Sequence, residues 1–84
     1  MYIHIGKDLV IRTEEIVGIF NLDYIRNTKE YRNFYKNLDE NKKIINIVEN
    51  QEKTFILVEK EGNIKGYITN IGANTIGKRK KNRH

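Results

Sequence analysis

Apolar positions along this chain change their spacing several times, and each change predicts a different element. Ile3 and Ile5 alternate with Tyr2 and His4, the period of two of a strand with one buried face. Gly6-Lys7-Asp8 follows as a turn in which glycine supplies the positive φ. Leu9, Val10 and Ile11 then resume, so residues 2–12 predict a β-hairpin. Thr13 is able to cap a helix start, but Ile16, Val17, Ile19 and Phe20 carry branched and bulky side chains around Gly18, which favours a third strand over 15–21.

The period then lengthens. Tyr31, Phe34, Tyr35 and Leu38 fall at i, i+3, i+4 and i+7, one face of an amphipathic helix over about residues 28–41. Asn27 with Glu30 three residues on predicts a capping box at its start. Lys29, Arg32, Asn33, Lys36 and Asn37 make the polar face. Ile44, Ile45, Ile47 and Val48 predict a short strand. Residues 53–59 carry apolar side chains on both sides, as expected of a strand central in a sheet or buried by a partner chain. Glu61-Gly62-Asn63 is a hairpin turn, with its return strand over 64–69. Residues 70–77 read as a loop with a short helical turn. Beyond Ile76 there is no apolar residue and no period, so that end is expected to be ordered only by a ligand.

These elements predict an α+β fold: a small antiparallel β-sheet (N-terminal hairpin plus third strand, and C-terminal hairpin) with one amphipathic helix. The expected organisation is a compact domain over 1–76 and a basic tail over 77–84. Composition agrees with a β-rich body, since 18 of the 32 apolar residues are Ile or Val and only one residue is Ala. With 84 residues in all, such a domain buries a limited share of its surface and is marginal alone. The two-sided strand 53–59 therefore predicts a homo-oligomer.

Chemistry is excluded more readily than it is suggested. The chain has no Cys, so disulfides, thiolate catalysis and cysteine zinc sites are ruled out. His4 and His84 have no second ligand or acid at a useful spacing, and no metal or other cofactor is expected. Glu14-Glu15 and Asp39-Glu40 are neighbours that face apart on any regular element. The six glycines are isolated and form no phosphate loop. No enzyme and no small-molecule substrate are expected. The start of the chain lacks a signal-peptide layout and no run is long enough to cross a membrane, so a cytoplasmic protein without membrane contact is expected. The aromatic helix face is a conceivable stacking platform for single strands, although helical spacing of aromatics more commonly serves a core.

Charge sharpens the picture. The net charge is +5, with 16 Lys and Arg against 11 Asp and Glu. Five of the cations, Lys78, Arg79, Lys80, Lys81 and Arg83, lie in the last eight residues with no acid among them. That leaves 11 cations against 11 acids in residues 1–76. The whole excess sits at one end, where it is suited to neutralising phosphates of double-stranded DNA. A tail that only solubilises the protein, or that meets an acidic protein, fits the same residues.

Two stretches together carry a resemblance. The first is Tyr2-Ile-His-Ile-Gly6, Val10-Ile11 and Glu15-Ile-Val-Gly-Ile-Phe20. The second is Lys53-Thr-Phe-Ile-Leu-Val58, Ile71, and Thr75-Ile76 with Lys78-Arg79. The chain resembles the extracellular matrix regulatory protein family (RemA/RemB), in particular its RemB-type branch, over nearly its whole length. It departs from the family's usual Ser-Pro at Thr69-Asn70. The resemblance implies a non-enzymatic bacterial regulator of extracellular matrix (biofilm) gene expression, cytoplasmic and oligomeric, since RemA-type relatives bind DNA as rings. That branch uses an arginine for DNA in the segment where this chain has Glu15, while Lys53 resembles a second basic position. DNA contact is accordingly expected at Arg12, Lys53, Lys78, Arg79, Lys80, Lys81 and Arg83. The alternative is a protein-interaction module of the same regulatory system that does not touch nucleic acid.

Overall fold

A computed structural model describes residues 1–81. Strands β1 (Tyr2–Gly6) and β2 (Leu9–Arg12) form the N-terminal hairpin, and a 3-10 turn over Thr13–Glu15 leads to β3 (Ile16–Asn21). A single helical turn, α1 (Leu22–Ile25), precedes the amphipathic helix α2 (Lys29–Glu40). Strands β4 (Ile44–Asn46), β5 (Thr54–Lys60) and β6 (Asn63–Thr69) follow, and α3 (Ala73–Lys81) closes the chain.

The expected single antiparallel sheet is two sheets. The hairpin stands alone as a two-stranded sheet, and a four-stranded sheet runs β3-β5-β6-β4. β4 pairs with β6 in parallel, so the larger sheet is mixed. The expected one helix is joined by α1 and α3.

β5 sits in the middle of the larger sheet, and its alternation divides the core in two. Ile56 and Val58 face Ile3, Ile5 and Ile11 of the hairpin and Ile76 of α3. Phe55 faces Leu22 of α1 and Leu38 of α2, with Tyr31, Tyr35 and Leu57 packed alongside. The molecule is thus three layers: hairpin with α3, sheet, and α1 with α2. Both apolar sides of β5 are covered from within the chain, so its pattern by itself calls for no partner.

β3 shows why its stretch is hard to read. The pairing with β5 puts Ile16 opposite Val58 and Gly18 opposite Leu57, leaving Val17 as an extra residue. This bulge swings Val17 outward, where it is exposed, and lets both Ile16 and Ile19 pack toward the hairpin. A strict two-residue period would put those two isoleucines on opposite faces.

The start of α2 also differs from the expected capping box. Thr28 is the cap, its hydroxyl accepting from the Tyr31 N–H at 3.2 Å. Asn27 instead offers its carbonyl to Arg32 at 2.7 Å. The polar groups that reach the interior are matched. The buried Thr54 hydroxyl donates to the Ile71 carbonyl at 2.6 Å, and the Thr69 hydroxyl donates to the Ile5 carbonyl. The second of these bonds ties the hairpin to the end of β6.

The largest correction concerns residues 70–81. In place of the expected loop with a short turn over 70–77, and of an end beyond it ordered only by a ligand, a helix of nine residues runs from Ala73 through Gly77 to Lys81. Ile76 is its fully buried anchor. Gly77 in the middle is unfavourable to a helix by about 1 kcal/mol relative to Ala. Four cations in the last turn favour it, because positive charge offsets the negative end of the helix dipole.

Candidate nucleic-acid interface

The cations expected to meet DNA fall into three places. Lys78, Arg79, Lys80 and Lys81 occupy the last turns of α3. Lys78, Arg79 and Lys81 are exposed, while Lys80 is half-buried on the side of Ile76. The Arg79 guanidinium donates to the His4 carbonyl at 2.9 Å, which pins the charged end of α3 against β1. Among the described residues no carboxylate lies within ion-pair distance of these four side chains. Arg83 and His84 lie outside the described residues.

Arg12 is on β2, opposite Tyr2 on β1. It belongs to the hairpin layer that Arg79 also reaches. Its guanidinium is 3.1 Å from Glu14, and the hydrogen bond and charge of that carboxylate raise its pKa. Glu14 is a local hub. It accepts from the Thr13 hydroxyl at 2.6 Å and lies 3.2 Å from the Met1 ammonium. The Thr13 bond first, and then the ammonium, hold its pKa down at about 2. The pair is half-exposed, so it contributes little to stability and a phosphate is able to compete for Arg12.

Lys53 stands apart from both. It enters β5 between the ends of β3 and β6, with its N–H donating to Thr69 and its carbonyl accepting from Leu22. Its exposed side chain makes no hydrogen bond or ion pair with another described residue. The fold therefore brings Arg12 and the α3 cations to one layer and leaves Lys53 on the sheet. The His4 ring is exposed on β1, and among the described residues it forms no ion pair and belongs to no metal-holding cluster.

The aromatic helix face serves the core rather than a stacking platform. Tyr31 meets Phe55 edge-on with ring centroids 5.4 Å apart, and Tyr35 leans on Tyr31 at 5.8 Å. Burial, more than neighbouring charge, pushes the Tyr31 hydroxyl up to about 12. Phe34 remains exposed and, with Phe20 and Tyr31, borders an apolar groove of about 400 Å3.

A second charged place was not apparent from the chain alone. Lys43, Lys60 and Lys65 border a groove of about 340 Å3 with Glu15, Glu61 and Tyr67. Its lysines are scattered over 23 residues of sequence and form no run. The β5–β6 hairpin brings Lys60 and Lys65 to one side, the parallel pairing of β4 with β6 adds Lys43, and no local signal announces that second pairing.

The model of the RemA-like family, extracellular matrix regulatory protein A-like, matches residues 2–79. The match takes in the hairpin, both layers of the core and α3 as far as Arg79. No curated protein matches the chain.

Proposed function

The chain belongs to the extracellular matrix regulatory protein A-like family, and from that premise we propose that it is a non-enzymatic, DNA-associated transcriptional regulator of extracellular matrix (biofilm) genes, of the RemB-type branch, working as a homo-oligomer in the cytoplasm. The observation that carries the reading is the end of α3. Four cations with no carboxylate at ion-pair distance among the described residues are held on the body by the bond from Arg79 to His4. Arg12 adds a cation to the same layer, while Lys53 is a separate cation at the start of β5. Such a surface takes hold of phosphate backbone and does not read bases.

Oligomerisation matters because four or five phosphate contacts per copy bind weakly, whereas linked copies bind together. The outer edge of β3 supports it. This edge strand, Ile16–Asn21, carries no charge and no proline to oppose pairing with another chain, and beyond the bulge at Val17 its residues Gly18–Asn21 are regular.

The test is a duplex titration across salt concentrations with the full chain and with a deletion of residues 78–84. Losing each phosphate contact lowers the log–log salt slope by about 0.9, so the deletion should flatten it by several units. An unchanged slope would remove the tail from the interface. The second reading, a protein-interaction module of the same system, is favoured by the open apolar groove beside Phe20 and Phe34. Absence of duplex binding at low salt, with retention of a partner protein by both forms, would select it.

A further inference from the structure

Lys43, Lys60 and Lys65 converge with the Tyr67 side chain on the groove beside the β5–β6 turn, and the sheet register explains why. β4 and β6 run parallel with Ile44 opposite Gly66. The Gly66 N–H donates to the Lys43 carbonyl at 2.9 Å, so the pairing extends one residue back and sets Lys43 beside Lys65. Lys65 is opposite Val58 on β5, and Lys60 follows two residues later on the same side. Like charges directly opposite one another on a sheet repel. Among the described residues none of the three lysines has a carboxylate within ion-pair distance. The fold holds together charges whose repulsion an anion would relieve.

Tyr67 lies two residues beyond Lys65 on the same face. Burial, and then the charge of Glu15, raises the pKa of its hydroxyl, so it stays a neutral donor at pH 7. Three ammonium groups and one hydroxyl supply donors of the kind that phosphate oxygens accept. Glu15 and Glu61 also border the groove. Three cations less two carboxylates leave one net positive charge, so a single groove is a weak site and Glu15 works against the ligand.

We propose that this groove is a phosphate-binding site, and that a phosphate of the duplex backbone occupies it as a contact separate from α3. The choice of duplex rests on the DNA reading above; the phosphate site itself does not.

The experiment has two arms on the full chain. The first follows backbone amide signals while inorganic pyrophosphate is added. The second measures the duplex salt slope for the unmodified chain, K43Q/K65Q, K43R/K65R, E15Q and the deletion of 78–84. Pyrophosphate should move the Gly66 and Tyr67 signals, and K43Q/K65Q should abolish the movement while K43R/K65R keeps it. The salt slope should fall by about 0.9 in K43Q/K65Q, and E15Q should tighten the duplex a few-fold. Unmoved signals, with a normal slope in K43Q/K65Q and a flattened one in the deletion, would overturn the groove and leave the DNA reading standing. Moved signals without any duplex binding at low salt would overturn the duplex assignment and the DNA reading together, leaving a free phosphate ester as occupant. Neither response would overturn both.

Discussion

The two faces of β5 were built from the same alternating strand and closed in different ways. Toward the hairpin, Ile56 meets Ile5 and Ile76, and all three are fully buried. Branched side chains with one preferred rotamer interlock there at little entropic cost. Toward α2, Phe55 meets aromatic rings and leaves a groove of about 400 Å3 beside Phe20 and Phe34, which remain exposed. Rings are larger and leave gaps at the border of a short helix. The contrast separates two jobs. The closed face holds the hairpin and α3, and therefore positions the cations. The open face leaves apolar surface exposed beside Phe20 and Phe34.

The contrast can be broken most sharply at Ile5. Ile5→Ala removes a fully buried side chain where the layers cannot collapse, and should cost about 2–5 kcal/mol. Phe34→Ala on the open face should cost within about 1 kcal/mol. Urea midpoints of the two variants compare them directly, and equal losses would mean that the faces are not distinct.

Glycines under the aromatic rings give a finer comparison. A methyl group on Gly66 would stand 2.5 Å from the buried Phe55 ring, with Ile44 at 3.1 Å on its other side. One on Gly18 would stand 2.6 Å from Phe20, a ring that is 39% exposed and free to swing away. Gly66→Ala should therefore cost about 1–3 kcal/mol through overpacking, and Gly18→Ala should cost less. The order of their thermal midpoints checks this, and a reversed order would show Phe20 to be the more constrained ring.

The smallest effect concerns acid. Glu14 has an ordinary pKa of 4.5 and is held at about 2 in the fold. A lowered carboxylate pKa stabilises above the ordinary value, and that contribution is lost as pH falls from about 4.5 through 2. The stability gap between the unmodified chain and Glu14→Gln should shrink over that window. Urea midpoints at pH 7, 4 and 2.5 measure it; a gap constant with pH would mean that Glu14 gains nothing from Thr13 and its cationic neighbours.

How far the fold was legible follows from where its information lies. The hairpin, α2 and the β5–β6 pair are local: two neighbouring runs with a turn, or one 3.6-residue stripe, identify them. The helix cap missed by one residue because Asn27 and Thr28 are both good caps, and only the backbone geometry chooses Thr28. α3 was hidden because Ile76 is its single fully buried anchor and its remaining inward positions are Ala73, Gly77 and the stem of Lys80. In the candidate interface, the cluster of Lys78, Arg79, Lys80 and Lys81 was visible as a charge run. The joining of Lys43 to Lys60 and Lys65 was not, since it depends on the parallel pairing of β4 with β6, strands that are not neighbours along the chain.

The order of hydrophobic periods, the segregation of charge to one end and the lack of thiol chemistry were all determined by the sequence itself, because each is a property of neighbours along the chain. The tertiary structure alone decided the bulge at Val17, the parallel seat of β4, the helical state of the cationic segment and the companions of each lysine. Those depend on register, and register is set by which distant backbone groups find one another when both faces of β5 are covered.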